Sequence, residues 1–233
     1  MKDLNNFSKK IKGKLRFDYS LKNHTWLNIG GNAKIFFVPE TLDELREFLI
    51  YIKKKNDNFF IIGAGSNLLI SERIQNRIFI KLGKNFNKIS LTKDNIIIAG
   101  SSSLDKNVSN FACENHLSGL EFLSCIPGTV GGGIRMNSGC FGTEFKDVLL
   151  SVQVMDFNGR VYTIESKNIK FSYRQINLPK NLIFLSASFK TKKEDKKYIE
   201  EKIIRLKEKK DSSQPLRVKT GGSTFKNPKN KLE

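Results

Sequence analysis

The sequence predicts an α+β protein, and three observations carry that reading. An amphipathic helix with an N-terminal cap follows an aromatic strand near residue 40. A hairpin signal stands at Asn158-Gly159. Around both, strand and helix patterns mix without the βαβ alternation of a doubly wound parallel sheet. The chain has 233 residues, enough for one core or for a large and a small domain. With 39% hydrophobic and 10% aromatic residues it is not a disordered chain.

Residues 1–20 place Ile11, Leu15 and Tyr19 at helical spacing and predict a loose helix. Lys34–Val38 (KIFFV) reads as a buried strand. Thr41, with Glu44 three positions on, forms a capping box, and Leu42, Leu45, Phe48, Leu49 and Ile52 line one face of a helix over 42–55. Phe59–Ile62 is a short strand ending at Gly63-Ala64-Gly65. Arg77–Leu82 and Asn95–Ala99 are further strands, and Ser103 opens a helix reaching about His116. Leu149–Phe157 and Arg160–Ile164 alternate apolar and polar residues around Asn158-Gly159, a two-residue hairpin signature. Leu182–Phe189 is another strand. Glu194–Lys210 is a helix with Tyr198, Ile199, Ile203 and Leu206 facing inward. Asp211–Pro228, rich in Ser, Gly, Pro and Thr, reads as a linker into a second domain. The expected division is an N-terminal extension (1–24), a main domain (25–193), then a helix, a linker and the start of a smaller domain (194–233).

No apolar run approaches the ~18–20 residues of a membrane span, and the first residues carry no secretion signal. Three cysteines, Cys113, Cys125 and Cys140, form neither a paired framework nor CxxC, so a reducing cytoplasm is expected and a metal site is not. The net charge of +18 comes from 32 Lys but only 9 Arg. Arg is the better residue for bidentate phosphate and base recognition, so the surplus reads as a solvated surface, with a nucleic-acid-binding module as the minor alternative.

Four segments carry candidate chemistry. Gly63-Ala64-Gly65-Ser66-Asn67-Leu68-Leu69 follows a strand; its glycines let backbone approach a ligand, yet a tight turn reads the same way. Residues 119–142 hold seven of the 17 glycines and only two charges, Glu121 and Arg135. So neutral a stretch packs inside the protein or against a ligand such as a pyrophosphate or a planar ring. Phe171-Ser172-Tyr173-Arg174 sets an Arg beside aromatics, as a carboxylate clamp or a surface ion pair. Residues 219–228 (KTGGSTFKNP) gather hydroxyls, lysines and an amide, which suits an anionic substrate or a polar linker.

In this order, from residue 24 to residue 228, GAGSNLL, GLEFLSCIPGTVGGGIRMNSGCFG, FSYRQ and GGSTFKNP resemble the UDP-N-acetylenolpyruvoylglucosamine reductase family of bacterial cell-wall precursor synthesis. The resemblance implies an FAD-binding module of the vanillyl-alcohol-oxidase type in two α+β subdomains, followed by a smaller substrate domain. It also implies noncovalent FAD, NADPH as reductant, the enolpyruvyl ether of UDP-N-acetylglucosamine as substrate, and a cytoplasmic enzyme, here expected to be a monomer. Gly63, Gly65, Ser66 and Asn67 would then meet the FAD pyrophosphate. Pro127, Gly128, Thr129, Gly131 and Gly132 would line the cofactor, with Asn137 and Gly139 nearby. Arg174 matches the catalytic arginine, Tyr173 the aromatic beside it and Ser223 the proton donor, while Lys219 and Asn227 fall near substrate-binding positions. The family continues past GGSTFKNP to a catalytic glutamate, and this chain stops at Glu233. Truncation, and a catalytically silent FAD-binding fragment with a mobile tail from Ser212 to Glu233, is therefore the expected alternative.

Overall fold

The computed structural model of the chain describes residues 2–213. Lys219, Ser223 and Asn227, and the expectations for the tail beyond Ser213, lie outside the described residues. Two sheets organise the rest. The first has the order β1-β2-β4-β3, formed by β1 (Lys14–Ser20), β2 (Asn32–Val38), β3 (Phe59–Ile61) and β4 (Gln75–Ile80). β1 runs antiparallel to β2, whereas β2, β4 and β3 are parallel neighbours. The second sheet is antiparallel throughout, in the order β11-β10-β14-β6-β5, from β5 (Ile89–Leu91), β6 (Ile97–Gly100), β10 (Leu149–Met155), β11 (Val161–Glu165) and β14 (Ile183–Phe189). Three short pairs complete the strands: β7 (Leu117–Ser118) with β15 (Lys192–Lys193), β8 (Gly139–Cys140) with β9 (Thr143–Glu144), and β12 (Phe171–Ser172) with β13 (Gln175–Ile176). The α-helices are α1 (Lys2–Ser8), α2 (Leu42–Lys54), α3 (Asp105–Glu114), α4 (Val130–Met136), α5 (Phe145–Val148) and α6 (Lys196–Ser213).

KIFFV is a continuous apolar run because both faces of β2 are covered. Ile35 and Phe37 pack with Leu45, Phe48, Leu49 and Ile52 of α2, and Phe36 packs on the other side with Leu21, Ile62 and Phe79. The α2 core also takes in Met155, Ile183 and Leu185 of the second sheet, and Arg46 Nε donates to Gly159 O at 3.0 Å. The two sheets are thereby packed together. A further core joins α3 and α4 to β10 and β14 through Val108, Ala112, Val130, Ile134, Val152 and Phe189.

Several local expectations give way. Residues 14–20 form β1 rather than helix, because the open edge of β2 offers backbone partners that outweigh a weak 3.6-residue period. β1 pairs with β2 across the expected boundary at residue 24. Thr41 caps α2, accepting from Glu44 N at 3.1 Å, but Glu44 does not close the box: its carboxylate accepts from Glu40 N (2.8 Å) and Lys12 N (2.6 Å). Ser103 does not cap α3; its hydroxyl donates to Asn87 O, and Leu104 stands at the cap. The Asn158-Gly159 hairpin has a longer loop than two residues, since the last strand pair is Met155–Val161. The Asp156 carboxylate organises that loop by accepting from Asn158 N and Arg160 N. Ile199 and Ile203 of α6 are buried, Tyr198 is exposed, and the helix runs on to Ser213. Among the described residues, no helix is long and apolar enough to cross a membrane.

Candidate functional site

The parallel strands β3 and β4 end side by side, and a crevice beyond the carboxyl ends of parallel strands is where such sheets hold ligands. The loop Gly63–Asn67 leaves β3 here. Gly65 has φ +75°, and a methyl group on it would run into the His24 carbonyl oxygen; its own carbonyl accepts from Trp26 N at 3.0 Å. A Cβ on Gly63 would stand 2.6 Å from Thr129 Oγ1, so the two glycine segments meet at this point. On the second segment, Asp105 N donates to Gly128 O (3.1 Å), Val130 N to Ser103 O (3.0 Å) and Gly131 N to Ser101 O (2.9 Å). These bonds hold Pro127–Thr129 against 101–105 and start α4 at Val130, with Thr129 at its N-cap.

The cleft between the segments measures about 2590 Å³, well above the ~300–1,000 Å³ of a pocket for one small ligand. It has room for a dinucleotide and a second molecule. Gly63, Gly65, Ser66, Asn67, Pro127, Gly128, Thr129, Gly131, Gly132, Asn137, Gly139, Tyr173 and Arg174 all line it. Asn137 is a buried helix C-cap in the left-handed region (φ +42°), and its side chain is engaged by protein groups: Nδ2 donates to Glu144 Oε2 (2.9 Å) and Oδ1 accepts from Lys146 N (3.0 Å). Tyr173 and Arg174 form the turn of the β12–β13 hairpin. Arg174 has φ +59°, a strained backbone for a non-glycine residue of the kind that clusters at functional sites, and its guanidinium lies 5.3 Å from the Tyr173 ring centre.

Sequence reasoning missed several groups on these walls. Lys81, just past β4, donates from Nζ to Gly63 O at 3.0 Å, and burial lowers its pKa. His24 stacks on Phe36 (4.5 Å between ring centres) with Nε2 3.5 Å from the Tyr19 hydroxyl. Burial first, then the charges of Lys81 and Arg16, hold its pKa below the usual histidine value. Arg16 itself lies 4.6 Å over the Tyr19 ring. Lys81 stands just past a strand end, whereas Arg16 and His24 reach the cleft through the pairing of β1 with β2 and the turn that follows β1, which no local periodicity reports. At the end of α6, Lys210 Nζ donates to Cys125 O (2.9 Å) and Lys209 sits 4.6 Å over the Phe141 ring, while Asp211 and Ser213 reach the cleft. The Cys140 thiol is pushed up to about 12, by burial first and then by the neighbouring Cys125, so this thiol stays protonated.

A family model described as an FAD binding domain matches residues 33–165. A UDP-N-acetylenolpyruvoylglucosamine reductase from Pelagibacter ubique (strain HTCC1062) is 50% identical over 230 residues, covering 98% of this chain and 75% of that protein. The chain belongs to the UDP-N-acetylenolpyruvoylglucosamine reductase family. A second such reductase, from Rickettsia prowazekii (strain Madrid E), is 46% identical over 94% of this chain and 73% of its own length. The crystal structure of the Thermus caldophilus UDP-N-acetylenolpyruvylglucosamine reductase superposes with a TM-score of 0.80 at 29% identity, covering 94% of this chain and 76% of that one. A glucooligosaccharide oxidase from Acremonium strictum shares the fold alone (TM-score 0.61, 11% identity, 81% of this chain and 42% of that one). This reductase-family chain therefore has the α+β FAD-binding fold of the vanillyl-alcohol-oxidase type and is an FAD-dependent oxidoreductase. The comparisons favour neither the silent-fragment reading nor a nucleic-acid-binding module.

Proposed function

We propose that the chain reduces the enolpyruvyl ether of UDP-N-acetylglucosamine to UDP-N-acetylmuramate, using NADPH and noncovalently bound FAD. One observation supports this above the others: both glycine segments and the Tyr173–Arg174 turn converge on a single cleft larger than one nucleotide needs. When bound, FAD supplies the hydride relay between NADPH and C3 of the enolpyruvyl group. The chain's residues do the rest. Gly63, Gly65, Ser66 and Asn67 hold the pyrophosphate, helped by the Lys81 ammonium, while Pro127, Gly128, Thr129, Gly131 and Gly132 line the cofactor beside Asn137 and Gly139. Arg174, with Tyr173 against it, faces the substrate carboxylate and stabilises the negative charge that builds there and at C2 in the transition state. Ser223 gives its proton to C2, which is basic enough as a carbanion-like centre to take it. Lys219 and Asn227 bind substrate. The proposed division at 193/194 puts the cofactor loops and the Tyr173–Arg174 turn before it, and Lys219, Ser223 and Asn227 after it.

The test separates binding from turnover. The purified protein should be yellow, acid should release free flavin, and NADPH oxidation should depend on the enolpyruvyl substrate. In Ser223→Ala, stopped-flow absorbance should show flavin reduction by NADPH intact and reoxidation by substrate severely slowed. Flavin binding without any substrate-dependent oxidation of NADPH would overturn the proposal in favour of a silent flavin module.

A further inference from the structure

Arg135 lies in the last turn of α4, and its guanidinium joins two distant parts of the chain. Nη1 donates to Leu178 O (3.1 Å) and Pro179 O (3.0 Å), and Nη2 donates to Leu182 O (2.8 Å). The plane of the group rests on Phe184, 4.6 Å from the ring centre. Among the described residues, no carboxylate is within ion-pair distance of it. Three carbonyl dipoles point at one cation; without it they would face one another unsatisfied, and the 178–182 segment would lose its conformation. A planar fork can serve three acceptors at fixed angles, which a lysine ammonium cannot reproduce.

The linkage is continuous at both ends. Toward the hairpin, Asn177 N donates to Lys170 O (3.1 Å) and Asn177 Oδ1 accepts from Lys170 N (2.9 Å), closing the base of β12–β13 beneath Tyr173 and Arg174. Toward the cofactor loop, α4 begins at Val130, just after its N-cap Thr129, and is tied down by Gly131 N donating to Ser101 O. We propose that Arg135 is a positioning residue, setting the Tyr173–Arg174 turn at a fixed place relative to the Pro127–Thr129 loop. This rests on the reading of Arg174 given above, and it adds a residue that acts through the Tyr173–Arg174 turn, its N–H groups being taken up by protein carbonyls.

Two variants test it. Arg135→Met keeps an apolar stem against Phe184 and removes the donors; Arg135→Lys keeps a cation without the fork. In both, with and without FAD, hydrogen–deuterium exchange over residues 170–182 should quicken by about tenfold or more. Residues 59–67 and 127–134 should exchange as in the parent. FAD affinity should stay within about twofold, and flavin reduction by NADPH should be unchanged. Reoxidation by the enolpyruvyl substrate should slow by about 10- to 100-fold, the cost of misplacing a catalytic group by about 1 Å. Parent-like exchange over 170–182 in both variants overturns the proposal. So does a uniform quickening along the whole chain, or failure of both variants to fold, because each makes Arg135 a general stabiliser. If Arg174→Ala leaves reoxidation intact, the role of Arg174 falls, while the exchange data still judge Arg135 by itself.

Discussion

Lys81 and Arg135 are both half-buried cations on the walls of one cleft, and both have pKa values lowered by burial. They differ in what their N–H groups do. Arg135 makes three hydrogen bonds to carbonyls and lies on an aromatic face, so its charge is taken up by the protein. Lys81 donates to Gly63 O alone among the described residues and keeps two donors beside a glycine loop. Desolvating a charge is costly unless it finds compensation. A cation compensated by the fold shapes the fold; a cation compensated only in part is suited to an anion that arrives from outside. In the proposed function, the Lys81 wall serves the cofactor and the Arg135 wall the substrate chemistry.

The sharpest way to break that division is Arg174→Ala. It should slow reoxidation by the enolpyruvyl substrate by about 10²–10³-fold, the usual cost of losing a donor to a developing oxyanion, with FAD affinity unchanged. A matching loss of FAD would merge the two walls. Next comes Lys81→Met, which should weaken FAD binding by roughly 10- to 100-fold, as expected for a charge-assisted hydrogen bond of ~1.5–3 kcal/mol. Fluorescence titration at low and high salt would check it. Equal affinity for parent and variant would remove Lys81 from the cofactor wall.

Asp105 extends the comparison to an acid. It is fully buried, neither carboxylate oxygen has a hydrogen-bond partner among the described residues, and desolvation raises its pKa well above the usual carboxylate range. The folded protein therefore holds this proton more tightly than the unfolded chain does. Its contribution to stability is complete below the ordinary aspartate pKa and is lost as pH rises toward the folded value. Asp105→Asn, neutral at every pH, should gain in Tm over the parent between pH 4 and 8, by roughly 2–4 °C per kcal/mol in a chain of this size. A Tm difference that is flat or shrinks with pH would contradict this. The smallest effect belongs to His24, whose pKa is held down by burial, Lys81 and Arg16. A phosphate on the Gly63–Asn67 loop should draw a proton onto it, so FAD affinity should be a few-fold higher at pH 5.5 than at pH 7.5. His24→Gln should flatten that slope in the same titration.

How much of this was legible in the residues follows from the range of the forces. The Thr41 cap, the apolar face of α2 and the strands around residue 155 depend on neighbours a few positions away, and periodicity reports them. β1 was misread because its partner lies on β2, and a local period cannot see a waiting sheet edge. Within the site, the glycine segments announce themselves by composition, and at Gly65, with φ +75° and the His24 carbonyl in the way of a Cβ, no other residue type fits. Arg135 stands out only as one of two charges in a neutral stretch, and Lys81 and His24 do not stand out at all, since nothing near them in sequence distinguishes a half-buried polar group from a solvated one. In a chain of 41 Lys and Arg residues, only the fold singles out Lys81.

The end of α6 has a consequence for Ser223. Lys209 and Lys210 fasten the last turns of this helix to Phe141 and Cys125, and Ser213 borders the cleft. Ser223 follows ten residues later, so whatever its conformation it lies within about 33–36 Å of that anchor. A hydroxyl confined to such a radius has an effective concentration on the order of millimolar at the cleft, before any specific contact is formed. Cutting the chain after Ser213 and adding the remainder back as a free peptide would forfeit that advantage, and the proton transfer proposed for Ser223 would become concentration-dependent.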